Sequence, residues 1–298
     1  MSRGLVEAVK GSIAFAHPFV RRFRRPLLVL GLAIFIVGGW FSIAQLELSW
    51  SDLSLPNLII LAFIFVPIGL MYGAANLSLT ARTAGTYLSP GESFRINAFA
   101  QLAEVLPLSG GALVRGAALV AAGTSASRSA GVILANSLLW IACASVGAGL
   151  AIMQFDSKAV FIAGASLIVV LIVVAYLWAL AGPRLALYSL SIRIIGIFIS
   201  GWRIFFAFSA ISITLTYSQS LVFAFASIAG SASSLAPAGL GIGEGLAAML
   251  ATLVATSSAA AFLGVAVNRL VGIAVVAVVC AYFTLMGEEV DKRSTLEK

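Results

Sequence analysis

Charged side chains are scarce in this chain: they make up 10% of its 298 residues, while 61% are hydrophobic. A soluble domain devotes about 25% of its residues to Asp, Glu, Lys and Arg, because its surface faces water. So few charges cannot clothe a water-facing globule of this length, and the mean hydropathy of +1.09 agrees. The missing polar surface must face lipid, so one membrane-embedded unit with no soluble domain is expected. Histidine is nearly absent too. His17 stands alone beside Pro18 in a basic stretch, which excludes a multi-histidine centre. The two cysteines, Cys143 and Cys280, lie in separate apolar segments, so neither a disulfide framework nor a Cys/His metal site is available. A GxxxxGK[ST] loop, a GxSxG elbow and a zinc-protease motif are all missing. Gly239, Gly241, Gly243 and Gly245 alternate without a βαβ context, so they do not make a dinucleotide site. Neither an enzyme nor a resident cofactor or metal is expected.

The charge that is present is patterned. The net +7 is concentrated in Arg21-Arg22-Phe23-Arg24-Arg25, Arg82 with Arg95, Arg184 with Arg193 and Arg203, and Lys292-Arg293. These clusters flank apolar runs, the signature of positive-inside topology rather than of a nucleic-acid stripe. Residues 1–25 interleave Leu5, Val9, Ile13, Phe19 and Phe23 with basic residues, as suits a cytoplasmic, interfacial helix. The next segment is too long for a signal-peptide core and reads as a retained span. About 20 apolar residues cross the hydrocarbon core. On that ruler, spans are expected at 26–46, 56–79, 130–152, 159–181, 203–230 and 257–286 within one membrane domain, 26–286, ahead of a cytoplasmic tail, 287–298. With both termini inside, the outer side receives Lys158 alone among basic residues, together with Glu47, Asp52 and Asp156. The expected location is the cytoplasmic (inner) membrane of a bacterium or archaeon.

Two stretches do not fit the span ruler. In the first, Ser89-Pro90-Gly91-Glu92 opens a helix with a capping box, and Pro107-Leu108-Ser109-Gly110-Gly111 breaks it before a second apolar stretch, 112–122. The second runs from Ser231 to Val254 and is interrupted by Pro237-Ala238-Gly239-Leu240-Gly241-Ile242-Gly243. Each reads as two half-helices that enter the membrane and return on the same side, the first from the cytoplasm and the second from outside. Gly110, Arg115 and Gly116 match Gly239, Glu244 and Gly245 at one constant offset. The fold class expected is therefore all-α, with about six transmembrane helices and two re-entrant hairpins in an inverted-topology repeat of halves 56–152 and 203–286. Such repeats place a site near the midplane, at their broken helices.

Ionised groups deep in a membrane cost about 2.5–3.5 kcal/mol each on insertion scales, so they need partners or water. Glu244 stands near the start of a half-helix, where free amides favour an anion, and Arg269 lies midway along the last span. A Glu244–Arg269 pair would neutralise both, as a structural ion pair or as a head-group or proton site. Arg115 follows the first glycine break; it is an interfacial arginine or a partner for a phosphate or an acid. Ser93, Asn97, Gln101 and Glu104 form one polar stripe on an apolar helix, and Ser220, Ser227, Ser231 and Ser234 a milder one. Such stripes line either a wet cavity or a helix contact.

The run Leu106 to Arg115, then Pro237 to Gly245 with Asn268-Arg269-Leu270, resembles the flippase-like membrane domain of lysylphosphatidylglycerol synthases, over about residues 30–286. The resemblance implies two facing re-entrant hairpins and the movement of an anionic or lipid-linked head group between leaflets. It places Arg115, Glu244 and Arg269 on the family's charged positions, with Asn268 beside them. The chain departs from the family where Ala112 follows Gly111 and where the next span reads Ala135-Asn136-Ser137, which weights the expected site towards the second half. Only Gly287 to Lys298 follow the spans, so lipid aminoacylation is not expected. The function expected is a flippase-like or scramblase-like transporter of a membrane phospholipid or polyprenyl-linked lipid. The alternatives are an ion-coupled carrier of a small solute and a non-catalytic subunit of an envelope-lipid enzyme. Small residues in several spans would permit a homo-oligomer. Single cysteines placed at Ser109 and Gly241 should react with an impermeant maleimide from opposite sides of the membrane; access from one side only removes the inverted arrangement.

Overall fold

A backbone amide inside lipid finds no water, so each span must satisfy its own hydrogen bonds, and the helix is the form that does so. The computed structural model describes residues 18–104, 110–232 and 239–296, and among them the regular structure is helical with no strand. Pro107 and Pro237, expected as hairpin breaks, lie outside the described residues, as do the first 17 residues of the basic segment. The helices are α1 (Pro18–Leu46), α2 (Leu55–Thr83), α3 (Pro90–Ala103), α4 (Gly110–Ala121) and α5 (Ala126–Ile152). They continue as α6 (Ala159–Ala181), α7 (Pro183–Ser209), α8 (Tyr217–Ala232), α9 (Ile242–Leu250, prolonged by the 3-10 turn Ala251–Val254) and α10 (Ser258–Leu296).

Among the described residues six stretches are long and apolar enough to cross a membrane: Val29–Leu46 in α1, then α2, α5, α6, α7, and Ser258–Leu285 in α10. The protein is a multi-pass membrane protein. Five of these match the spans expected from the sequence, and the fifth in chain order does not. It occupies Pro183–Ser209 rather than 203–230. Arg193 and Arg203 had marked this stretch as cytoplasmic, but Arg193 is buried and the Arg203 side chain lies between helices, so neither interrupts the span. Gly182, at φ +89°, ends α6, and Pro183 opens α7 at once. The later boundaries move with it: the first short helix after this span begins at Tyr217.

The order long, short, short, long occurs twice, in α2–α5 and again in α7–α10. Each short pair folds back on itself. The Thr86 hydroxyl, ahead of α3, donates to the Ala122 carbonyl just past α4 at 2.5 Å. At the other end of the pair Gly111 lies against Ala100 and Glu104. In the second pair Gln219 donates to the Val254 carbonyl at 2.8 Å, and Gly230 meets Gly243 backbone to backbone. A Cβ on Gly111 or Gly230 would collide with these neighbours, and one on Gly243 would stand 2.7 Å from Arg269 Nη2. The Ser89–Glu92 capping box starts α3: the Ser89 hydroxyl and amide both donate to the Glu92 carboxylate, and hold it below the usual carboxylate range. In α2, Pro67 has no N–H to give back to the preceding turn, and the helix widens there to π geometry over Leu61–Phe65.

The helices α2 and α7 run antiparallel. The Ser54 amide donates to the Ala210 carbonyl at 2.9 Å and Asn57 to the Ser209 carbonyl at 3.2 Å, while farther along Tyr72 packs on Gly196. Between α7, α8 and α10 the fully buried rings of Phe208 and Phe223 stack with centroids 5.1 Å apart, and Gly264 of α10 lies flat against Phe208. Overpacking a filled core costs about 1–3 kcal/mol. Gly264→Val should therefore lower the thermal unfolding temperature in detergent, and Phe208→Leu introduced with it should recover part of the loss. An unchanged midpoint for Gly264→Val would mean that this contact is loose.

Candidate functional site

A cavity of about 400 Å³ lies where the two short pairs approach the long helices α2, α5, α7 and α10. Its walls are polar for a membrane bundle. Asn97, Gln101 and Glu104 come from α3 and the residue after it, Arg115 from α4, and Asn268 and Arg269 from α10. Six of the seven candidate head-group residues read from the sequence thus meet in one place. The seventh, Glu244, is fully buried and stands behind Arg269 rather than on the wall.

Glu244 is held there by local geometry. Gly241 caps α9 in the left-handed region, φ +79°, a conformation that suits glycine. Its amide then points back at the Glu244 carboxylate, with N···Oε2 at 2.9 Å. The other oxygen, Oε1, lies 3.2 Å from Arg269 Nε. That contact is a charge pair without hydrogen-bond alignment, because Oε1 has no hydrogen-bond partner. The side that Glu244 touches is the Nε edge of the guanidinium; both terminal nitrogens of Arg269 are buried without a partner. The hairpin glycines have distinct tasks. Gly239 allows the backbone crossing with Gly230, Gly243 leaves room for Arg269 Nη2, Gly241 aims the amide at Glu244, and Gly110 and Gly111 seat α4 against Ala103 and Glu104.

The first half supplies a second pair. Arg115 Nη2 lies 2.9 Å from Glu104 Oε1 and 3.4 Å from Asn97 Oδ1, while the Asn97 amide donates to the Leu70 carbonyl at 3.2 Å. Gly73 makes room for the Asn97 amide. Of the first polar stripe, Ser93 is fully buried and does not reach the cavity, whereas the other three line it. In the second stripe Ser227 and Ser231 line the cavity, Ser220 donates to its own helix at Tyr217, and Ser234 lies outside the described residues.

Two cavity arginines were assigned by the sequence reading to the cytoplasmic face. Arg193 donates to Asn136 Oδ1 at 3.3 Å and to the Tyr72 hydroxyl at 3.5 Å, and it sits over the Trp140 ring at 5.3 Å from the centroid. Arg203 is threaded between α2 and α10. Cβ atoms at Gly69 and Gly272 would stand 3.1 and 3.0 Å from its Nη1 and Nη2, so these glycines form its cradle. Neither arginine has a carboxylate within ion-pair distance among the described residues. The signal for them was the 27-residue stretch 183–209 itself. An apolar run of that length behind a Gly-Pro break can be a span in its own right, and arginines inside it must turn inward.

The electrostatic result is lopsided. Arg115, Arg193, Arg203 and Arg269 line the cavity, and among the described residues only Glu104 and Glu244 pair with them, which leaves Arg193 and Arg203 uncompensated. No cluster of three or more His, Cys, Asp or Glu side chains forms among the described residues. The chemistry available here is recognition of an anion. Removing one partner of a buried pair leaves the other ionised and costs about 3–5 kcal/mol. Glu244→Gln should therefore lower the stability of the purified protein sharply, and the double variant Glu244→Gln/Arg269→Gln should cost less than Glu244→Gln alone. Thermal unfolding in detergent measures both; a single variant as stable as the parent would show that the pair is not desolvated. No family profile, curated protein or solved structure matches this chain.

Proposed function

We propose that the protein is a flippase-like or scramblase-like transporter that passes an anionic or lipid-linked head group through this cavity without an ATPase of its own. The observation that carries the reading is where the cavity meets the outside of the bundle. Ser137, near the middle of α5, lines the cavity and is exposed, and it shares a helix face with the exposed Leu134 and Leu138. A solute carrier encloses its site between helices. A lipid carrier needs a polar wall that reaches the hydrocarbon at mid-span, so that the head group travels inside while the chains stay in lipid. Ser137 between leucines is such a wall.

The arrangement of the short helices supports the same reading. We infer that α3–α4 and α8–α9 are two re-entrant hairpins entering from opposite faces. The Thr86–Ala122 closure lies beside the Thr83 end of α2, and the Gln219–Val254 closure follows the Ser209 end of the antiparallel α7. The glycine tips of both pairs then point towards the middle of the bundle. The two halves are an inverted-topology repeat of 55–152 and 183–285, with both termini in the cytoplasm by the distribution of basic residues. The motif resemblance to the flippase-like domain of lysylphosphatidylglycerol synthases points to the same class of cargo.

Leaflet exchange of labelled anionic phospholipids in proteoliposomes should exceed the rate in protein-free vesicles. Ser137→Trp, which fills the lateral opening without touching a charge, should return the rate towards the protein-free value. Equal rates with and without protein across several head groups would overturn the reading.

A further inference from the structure

Of the four cavity arginines, two have terminal nitrogens engaged by side chains. Arg115 is bonded to Glu104 and Asn97, and Arg193 to Asn136 and Tyr72 with its face on Trp140. Arg203 and Arg269 are different. Arg269 is paired only at Nε, so its Nη1 and Nη2 are oriented by Glu244 yet left without partners, in a side chain only 8% exposed. Arg203 Nε is buried without a partner, as is Arg193 Nε, but unlike Arg193, Arg203 has no hydrogen bond to its terminal nitrogens among the described residues. The two groups are neighbours: Arg203 Nη2 abuts Gly272, one turn beyond Arg269 on α10. Beside them the Asn268 amide oxygen also lacks a partner.

Unpartnered donors on a buried cation are costly, and a site that keeps them is complementary to a ligand that fills them. We propose that Arg203 and Arg269 form a binding site for a doubly negative phosphoryl group, a phosphate monoester or a diphosphate, in preference to a phosphodiester. Two features set the class. The cavity as a whole carries two uncompensated positive charges, those of Arg203 and of Arg193 on the same helix, which a dianion cancels and a singly charged phosphodiester does not. Two planar guanidiniums approach from different helices, α7 and α10. A carboxylate has two oxygens and is saturated by one such fork, whereas a phosphoryl group offers three oxygens to two forks. Gly69 and Gly272 belong to the site because a Cβ at either would crowd the terminal nitrogens of Arg203 and shift them by a few tenths of an ångström. The inference rests on the head-group reading of the cavity, and it narrows the cargo to head groups that end in phosphate.

The test uses the full chain purified in uncharged detergent at about pH 8, above the second ionisation of a phosphate monoester at about 6. Thermal stabilisation is titrated with phosphatidic acid, with phosphatidylglycerol of the same acyl chains, and with inorganic pyrophosphate. Phosphatidic acid should reach half-effect at a concentration at least about tenfold below phosphatidylglycerol, since ligand binding stabilises by mass action. Arg203→Gln should erase that preference. So should Glu244→Gln/Arg269→Gln, which removes a balanced pair and so leaves no stranded charge should the single variant fail to fold. Pyrophosphate matching phosphatidic acid would support the site with free phosphate as its source; phosphatidic acid acting alone would support it with lipid as the source. Equal half-effects for the two lipids, or a preference that survives in folded Arg203→Gln, would overturn the proposal. Leaflet exchange is read separately. Exchange without phosphate preference removes this inference alone, and preference without exchange removes the transport reading alone.

Discussion

A guanidinium in a low-dielectric bundle has to be answered by something, and in this protein that requirement organises everything around the cavity. Four arginines reach the same polar chamber from two long helices and one short one. Two are answered by carboxylates, one by an amide, a phenol and an indole face, and one by a glycine-lined slot without an acid. Each solution demands its own local sequence. Glu244 can face Arg269 because a left-handed glycine turns an amide onto it, and Glu104 can face Arg115 because Gly111 lets α4 come close to the end of α3.

The glycines therefore act in two ways. At Gly230 and Gly239 they let two backbones cross where any side chain would hold them apart, which brings the end of α8 onto the start of α9. At Gly69, Gly73 and Gly272 they remove side chains from the faces of long helices, and polar groups from neighbouring elements fill the space. In the first case glycine shapes the chain; in the second it makes room for charge. Packing of Phe208 on Phe223 and Gly264 then holds α7, α8 and α10 in register beside the chamber.

Much of this was legible in the residues. Low charge and long apolar runs specify membrane helices, because a span must be about 20 residues long and must bond its own backbone. The capping box at Ser89 and Glu92, the glycine breaks and the pairing of Glu244 with Arg269 could likewise be read from spacing. The asymmetry noted at Asn136 is also meaningful. There an amide of α5 accepts from Arg193, so the charge at this place comes from a different helix, α7.

What the sequence by itself determined is the environment and the elements: an apolar, all-helical chain with six spans and two broken stretches, since hydropathy and helix-breaking residues act locally. Only the tertiary structure decided which charges are inside. Arg193 and Arg203 read as cytoplasmic in one dimension, because a basic residue near a span end carries the same local signal whether it faces water or a cavity. The difference lies in what stands opposite, and for these two residues it is Asn136, Tyr72, Trp140, Gly69 and Gly272. Those partners come from α2, α5 and α10, distant in the chain, and only packing brings them together.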